Sequence, residues 1–285
     1  MSKTDALIGE RKIRKHRVKP TDIGRAVGLI IVVLVFVLPL AWMVLASFKR
    51  NVDIHDSSHM FSFVPTVSNY ATVFEQANFG RFMWNSFVVS LIATVISLVI
   101  AVPAAYAMSR FDMKRSATLV LLARVIPGVS LLVPWYYVFS QMHLVGTYIV
   151  LILSMMFVSM PLILYIMMSF FDTLPNELEQ AALVDGLTPI GAFNRIALPL
   201  SAPGIATSAI LSFIFAWNNF MFALVLSGSS TKTLPVAIFD FVGYASIDWG
   251  GLMAASTVVT IPIMVIALFT QKYIVSGLTA GATKG

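Results

Sequence analysis

Glu179-Gln-Ala-Ala-Leu-Val-Asp-Gly186, then nine residues, then Ile196-Ala-Leu-Pro199: this polar, helix-forming insert decides how the chain is read. Long apolar segments flank it on both sides. A polar insert of this kind does not sit in hydrocarbon, so it lies in water and offers a surface to a soluble partner. Asn176 follows Pro175 as a candidate helix cap, which places Glu177 and Glu179 in the first turn, at the positive end of the helix dipole. Gly186 fits the C′ position. Thr188-Pro189 reads as a cap followed by proline at the first helical position of a second helix, and Leu198-Pro199 reads as its end. The expectation is a short helix–turn–helix beneath the membrane, with Ala181 and Ala182 forming a low face for close approach. An amphipathic helix resting on lipid headgroups favours Lys and Arg on its polar face. This insert carries Glu177, Glu179 and Asp185 against Arg195 alone, which suits a protein partner better.

Composition sets the frame. The 285 residues are 58% apolar and 11% charged, with a mean hydropathy of +0.88. Soluble domains carry roughly 25% charged residues. The shortfall indicates a polytopic membrane protein, because charge is costly at the bilayer centre. With no cysteine, the chain has no thiol chemistry, disulfide or Cys-ligated metal site. His16, His55, His59 and His143 are scattered and suggest no metal cluster. The net charge of +6 is concentrated in the N-terminal tail and does not indicate nucleic acid.

A helix needs about 20 mostly apolar residues to cross the hydrocarbon core. Six stretches qualify: Gly24–Ala46, Asn85–Met108, Ala117–Phe139, Tyr148–Phe171, Pro203–Leu226 and Gly251–Gln271. Their apolar runs are continuous, which excludes the alternation of a barrel. The fold class is therefore all-α, a polytopic membrane protein with six transmembrane helices. The chain divides into a basic tail (1–23), a transmembrane domain (24–271) containing the polar loop 172–202, and a C-terminal tail (272–285).

Six spans put both termini on one side, and Lys and Arg choose the side. One side holds Lys3, Arg11, Lys12, Arg14, Lys15, Arg17, Lys19, Arg25, Arg110, Lys114, Arg115, Arg195, Lys272 and Lys284. The other holds Lys49, Arg50, Arg81 and Lys232, and Arg124 falls inside a span. Both termini and the polar loop are thus expected in the cytoplasm. The first apolar stretch fills a whole span and lacks a clean cleavage site, so it reads as a retained helix rather than a signal peptide. The connection Ser47–Phe82 is expected to fold over the outer surface.

The spacing of the loop resembles the EAA loop of bacterial ABC-importer permeases: Glu-Ala-Ala, three residues, Gly, nine residues, Ile, one residue, Leu-Pro. Ala181, Ala182, Gly186, Ile196, Leu198 and Pro199 fall in register, and Gln180 stands where the pattern has Glu. Further stretches resemble carbohydrate-importer permeases of the maltose-transporter type. They are Val64–Tyr70, Asn85-Ser86, Phe213–Leu224 and the tail Gly277–Gly285. The resemblance runs from about Gly24 to the end and implies an ABC importer type I permease-like fold in a bacterial inner membrane. It implies that Glu179, Gln180, Ala181, Ala182, Asp185, Gly186, Ile196, Leu198 and Pro199 couple the chain to an ATPase, with Gly277–Gly285 as a second contact. Gln180 keeps the size of Glu but not its charge, and Glu179 is the neighbouring carboxylate that could take over an ionic contact.

The implied assembly contains a second homologous permease, two ATPase subunits and an extracytoplasmic solute-binding protein, embedded in membrane lipid and without nucleic acid. ATP and magnesium belong to the partner ATPase, and this chain binds no cofactor. It has no GxxxxGK[ST] phosphate loop, so it is a transport subunit and not an enzyme. The solute class implied is a sugar, polyol or related glycoside. Candidate path residues are Arg124, Trp217, Asn218, Asn219 and Phe220. The amides could hydrogen-bond hydroxyls while Trp217 or Phe220 stacks on a ring face; equally, Asn218 and Asn219 could join helices. Phe213, Trp217, Phe220 and Leu224 recur at helical spacing as a packing stripe. The alternatives are an ion-coupled secondary carrier and an integral-membrane transferase. The first commonly needs an intramembrane carboxylate, and none of the six spans clearly holds one. The second needs an acidic or His-rich cluster with suitable spacing, which the loop lacks.

Overall fold

The computed structural model describes residues 20–76, 78–122, 125–243 and 246–280. These residues fold into helices, and the described part holds no strand beyond the single bridge Val242–Ile247. The main elements are α1 (Pro20–Ser47), α2 (Phe79–Arg110), α3 (Lys114–Leu122), α4 (Leu132–Gln141), α5 (Tyr148–Phe171), α6 (Asn176–Val184), α7 (Pro189–Leu200), α8 (Ala202–Trp217), α9 (Met221–Leu226), α10 (Leu234–Ile238) and α11 (Trp249–Ala280).

The expected six continuous spans are not reproduced. Among the described residues four helices are long and apolar enough to cross a membrane: Gly24–Ser47, α2, α5 and Trp249–Gln271 of α11. A fifth arises if α7 and α8, bent by 72° at Ser201, count as one. The expected third span is interrupted between α3 and α4. Pro127 lies in the interruption, and a short 3₁₀ turn, Gly128–Leu131, leads into α4. Proline disfavours helical geometry at the residue before it, which accounts for a break here. The expected fifth span is interrupted at Asn218–Phe220, between α8 and α9. Tyr148–Phe171 matches its expected bounds, and α11 runs on to Ala280, past the boundary read at Gln271. Residues 1–19 of the basic tail (1–23) and residues 281–285 of the C-terminal tail lie outside the described residues.

Helices α2, α5 and α8 form the centre, with α11 against α8 and α1 along α11. The buried faces of the central helices mix small residues (Ser86, Ser90, Ala93, Thr94, Ser97, Ala101 and Ala105 on α2, Ser154 and Ser159 on α5, Gly204, Thr207, Ser208 and Ser212 on α8) with large apolar ones such as Val89, Leu151, Met155, Met167 and Phe171. The outward faces are large and apolar, including Leu91, Val95, Val99 and Ile100 on α2. Apolar outward faces suit lipid, and the small residues let the helices approach closely. Gly204 shows how close: a Cβ there would lie 2.6 Å from the Phe170 ring.

The connection from α1 to α2 packs as a cap at the start of α2. Asn69 donates to Ser47 O and Lys49 O, both at 2.8 Å. The Lys49 ammonium donates to Met60 O at 2.6 Å and lies over the Trp42 and Phe63 rings. Asn51 ties the cap to α11 through Asp248 and the Gly250 amide. The far end of α2 meets the hairpin formed by α6 and α7, about 48 Å away at 1.5 Å per residue.

Candidate functional site: a helical hairpin at the end of the bundle

The quoted stretch folds as the expected helix–turn–helix. The turn closes because Gly186 adopts φ +89°. Its amide donates to Leu183 O at 3.1 Å, and the Leu187 amide reaches back to Ala182 O at 3.0 Å. These two bonds define a Schellman cap and use carbonyls that the end of α6 would otherwise leave free. The space beside Gly186 is open, so the positive φ alone demands glycine there. Thr188 caps α7 as expected: its hydroxyl accepts from the Gly191 amide at 3.1 Å, with Pro189 at the first position.

Two local expectations are corrected. Pro175, not Asn176, is the cap of α6, and Asn176 is its first helical residue. Pro199 does not end α7. A π-helical turn, Phe193–Ala197, precedes it, and the helix continues to Leu200 before the 72° bend. The wider turn relieves the backbone where proline lacks an N–H and crowds the preceding turn.

The coupling residues read from the sequence separate into two groups. Gln180, Ala181, Asp185, Gly186 and Pro199 are exposed, and Ile196 and Leu198 are half-buried. Ala182 is buried, so the two alanines do not share a face. Glu179 is only 8% exposed and is turned into the protein. Its Oε1 accepts from Arg110 Nη2 at 2.7 Å and Nε at 2.9 Å. Its Oε2 accepts from the Tyr106 hydroxyl at 2.6 Å. Arg110 also donates through Nη1 to Phe171 O at 2.9 Å, at the end of α5. Glu179 is thus already paired within the chain, against the expectation that its carboxylate faces an ATPase.

Sequence reading counted Arg110 only as a loop cation and did not single out Tyr106. Their spacing of four residues, at the end of α2, was the available signal, but nothing in it named Glu179 as the partner. It also passed over Val184 and Ile190 at the hairpin tip, 87% and 72% exposed. Leu178 and Leu183 add to the exposed apolar surface of the hairpin, near the exposed carboxylates of Glu177 and Asp185, and Leu183 and Ile190 also reach the cleft beside α2. Between the hairpin and α2 lies a cleft of about 540 Å³, lined by Tyr106, Arg110, Glu179, Gln180, Leu183 and Phe193, among others.

The candidate path residues do not gather into one site. Arg124 lies outside the described residues. Trp217 is 3% exposed and packs in the core against α11, its indole N–H directed at Val259 O at 3.4 Å. Asn218 and Asn219 sit at the α8–α9 break and serve the backbone. Asn218 Nδ2 donates to Ile214 O at 2.9 Å, and Asn219 Oδ1 accepts from the Phe222 amide at 3.2 Å. Phe220 turns to the Phe239 ring, with centroids 5.5 Å apart. The expected continuous aromatic stripe therefore stops at Trp217, because the helix itself ends there.

The described residues thus form a bundle of apolar helices long enough to cross a membrane, with a glycine-capped hairpin standing between α5 and α8. The chain belongs to the family of binding-protein-dependent transport system inner membrane components, which it matches over residues 93–280. It is 39% identical to the trehalose transport system permease protein SugB of Mycobacterium tuberculosis, covering 87% of this chain and 92% of that protein. It is 36% identical to the trehalose/maltose transport system permease protein MalG of Thermococcus litoralis (91% and 95% covered). It is 35% identical to the sulfoquinovosyl glycerol transport system permease protein SmoH of Agrobacterium fabrum (87% and 88% covered). Its fold is similar to that of a bacterial ABC transporter that imports alginate. The TM-score is 0.74 at 20% identity, covering 89% of this chain and 96% of that one. The chain is an inner-membrane permease subunit of an ABC importer, and not an enzyme.

Proposed function

We propose that the chain forms part of the membrane path for a sugar, polyol or related glycoside, and that its α6–α7 hairpin receives an ATPase subunit. The relatives named for trehalose, maltose and a sulfoquinovosyl glycoside support the solute class. The observation that carries the docking reading is the hairpin tip. Val184 and Ile190 stand out on a glycine-capped turn, largely uncovered by the rest of the bundle. Buried in a partner, each would contribute roughly 1.5–3 kcal/mol. Gln180, Ala181, Asp185, Gly186, Ile196, Leu198 and Pro199 complete that surface or hold its shape, and Glu179 serves it from within.

In this reading the partners are a second permease, a pair of ATPase subunits that carry ATP and magnesium, and an extracytoplasmic binding protein. The structurally similar alginate importer has been captured with its solute-bound periplasmic protein, a precedent for the last. Both termini and the hairpin face the cytoplasm, supported by the Lys and Arg distribution. The broken segments α3–α4 and α8–α9 complete six crossings. Irregular backbone at membrane depth is tolerated where it lines a cavity or is buried in protein. The α8–α9 break, with Asn218 exposed, is on that ground the favoured stretch for solute contact, and Arg124 remains a candidate. Alternating access follows when ATPase closure moves the hairpin and reorients the spans.

Co-purification from detergent tests the docking reading. ATPase subunits should accompany the parent chain and be lost from Val184→Asp/Ile190→Asp. Equal retention by both would overturn the reading. Calorimetry of the cognate binding protein against a sugar panel should identify a carbohydrate, and binding of amino acids or metals alone would overturn the solute class.

A further inference from the structure

Both ends of α2 are tied by buried polar groups to segments distant in sequence. At the hairpin end, Arg110 and Tyr106 hold the Glu179 carboxylate through three hydrogen bonds of 2.6–2.9 Å. Arg110 and Glu179 side chains are only 14% and 11% exposed. At the other end, the buried Asn85 donates to Ser230 O at 3.1 Å and Lys232 O at 2.8 Å, and accepts from the Tyr148 hydroxyl at 2.6 Å. The neighbouring Ser86 hydroxyl accepts from the Leu234 amide at 2.8 Å. Between them α2 is an unbroken helix of 32 residues, with Pro103 inside it.

Resting on the reading that the hairpin docks an ATPase, we propose that Arg110 and Tyr106 are positioning residues that lock the hairpin to α2. Displacement of the hairpin is then delivered along α2 as one rigid body, and reaches the Ser230–Leu234 segment at the opposite end. Two hydrogen bonds from one guanidinium to one carboxylate oxygen, with a third group on the other oxygen, resist both sliding and rotation of α6 on α2. Exposed hairpin residues would make contact with the motor, and Glu179 would convert that contact into movement of the membrane helices.

The cysteine-free sequence permits a direct test. Spin labels at Asn194→Cys on α7, which is not among the proposed docking residues, and at Leu91→Cys, both exposed, report the distance from the hairpin to α2. About 28 Å of helix separates Leu91 from Arg110. In the membrane complex, the parent should give one narrow distance, unchanged between nucleotide-free and ATP-plus-vanadate states. Arg110→Met should broaden it and split it by nucleotide state. Tyr106→Phe, which removes one hydroxyl and keeps the ring, should broaden it less, and it replaces Arg110→Met should that variant not fold. A parent distance that shifts with nucleotide overturns the lock, as does a variant distribution as narrow as the parent's. Retention of ATPase subunits by the same samples tests the docking reading separately. Without those subunits, the comparison of widths between parent and variants still decides the lock.

Discussion

At the residue scale, the chain separates what a partner would touch from what the bundle needs. Glu179 is the clearest case. Glu179→Ala leaves the Arg110 guanidinium without its carboxylate in a mostly buried place. It should cost about 3 kcal/mol, as breaking buried pairs does. Glu179→Gln should cost less, because the amide still accepts from Arg110. Thermal unfolding in detergent checks both. Gly186→Ala places a side chain at φ +89° and should cost roughly 1–2 kcal/mol by strain alone. Gly186→Asn should cost less, since Asn tolerates that region. The sequence displayed Gly186 and the Thr188-Pro189 cap openly, because capping is local chemistry written in adjacent residues. The partner of Glu179 was not legible. It lies 69 residues away, and no local pattern distinguishes an inward carboxylate in a first helical turn from an outward one.

At the element scale, hydropathy located the apolar segments, and it failed where continuity was assumed. It reads composition over a window and does not register where the backbone stops being helical. Pro127 lies inside the stretch Ala117–Phe139, and a window average of hydropathy passes over it. The Asn218–Phe220 break had a weaker mark, two adjacent amides that can satisfy freed backbone groups. Asn219→Ala should remove the hydrogen bond to the Phe222 amide and destabilise the start of α9 by about 1 kcal/mol, as loss of a cap does. A fall in solute uptake well beyond that of other equally destabilised variants would mark Asn219 as a contact of the path. Packing between elements gives a sharper test. Gly204→Ala drives a methyl group into the Phe170 ring and should separate α8 from α5 at a cost of about 1–3 kcal/mol. Phe170→Leu in the same chain should recover part of that loss.

At the scale of the whole molecule, the described residues form a rod-like centre with a polar cap at one end and a hairpin at the other. This layout makes orientation testable with single cysteines. Ser229 and Val184 are both exposed. An impermeant maleimide applied to intact cells should label Ser229→Cys and leave Val184→Cys untouched; inverted vesicles stripped of ATPase subunits should reverse the result. Labelling of Val184→Cys from outside would invert the topology and remove the basis for docking an ATPase there. The expected orientation rests on charge asymmetry, which is a sum over many residues and tolerates errors at any one boundary.

The setting of the bundle also predicts how it comes apart. Its helices meet through small residues and through large apolar ones such as Leu151, Met155, Met167 and Phe171, and within lipid the separated faces are covered by hydrocarbon, so parting them wets little new apolar surface. Urea acts in proportion to the surface newly exposed to water, and should therefore be a weak unfolding agent for this protein in bilayers. An anionic detergent such as SDS, which intrudes between helices, should dismantle it over a narrow range of composition.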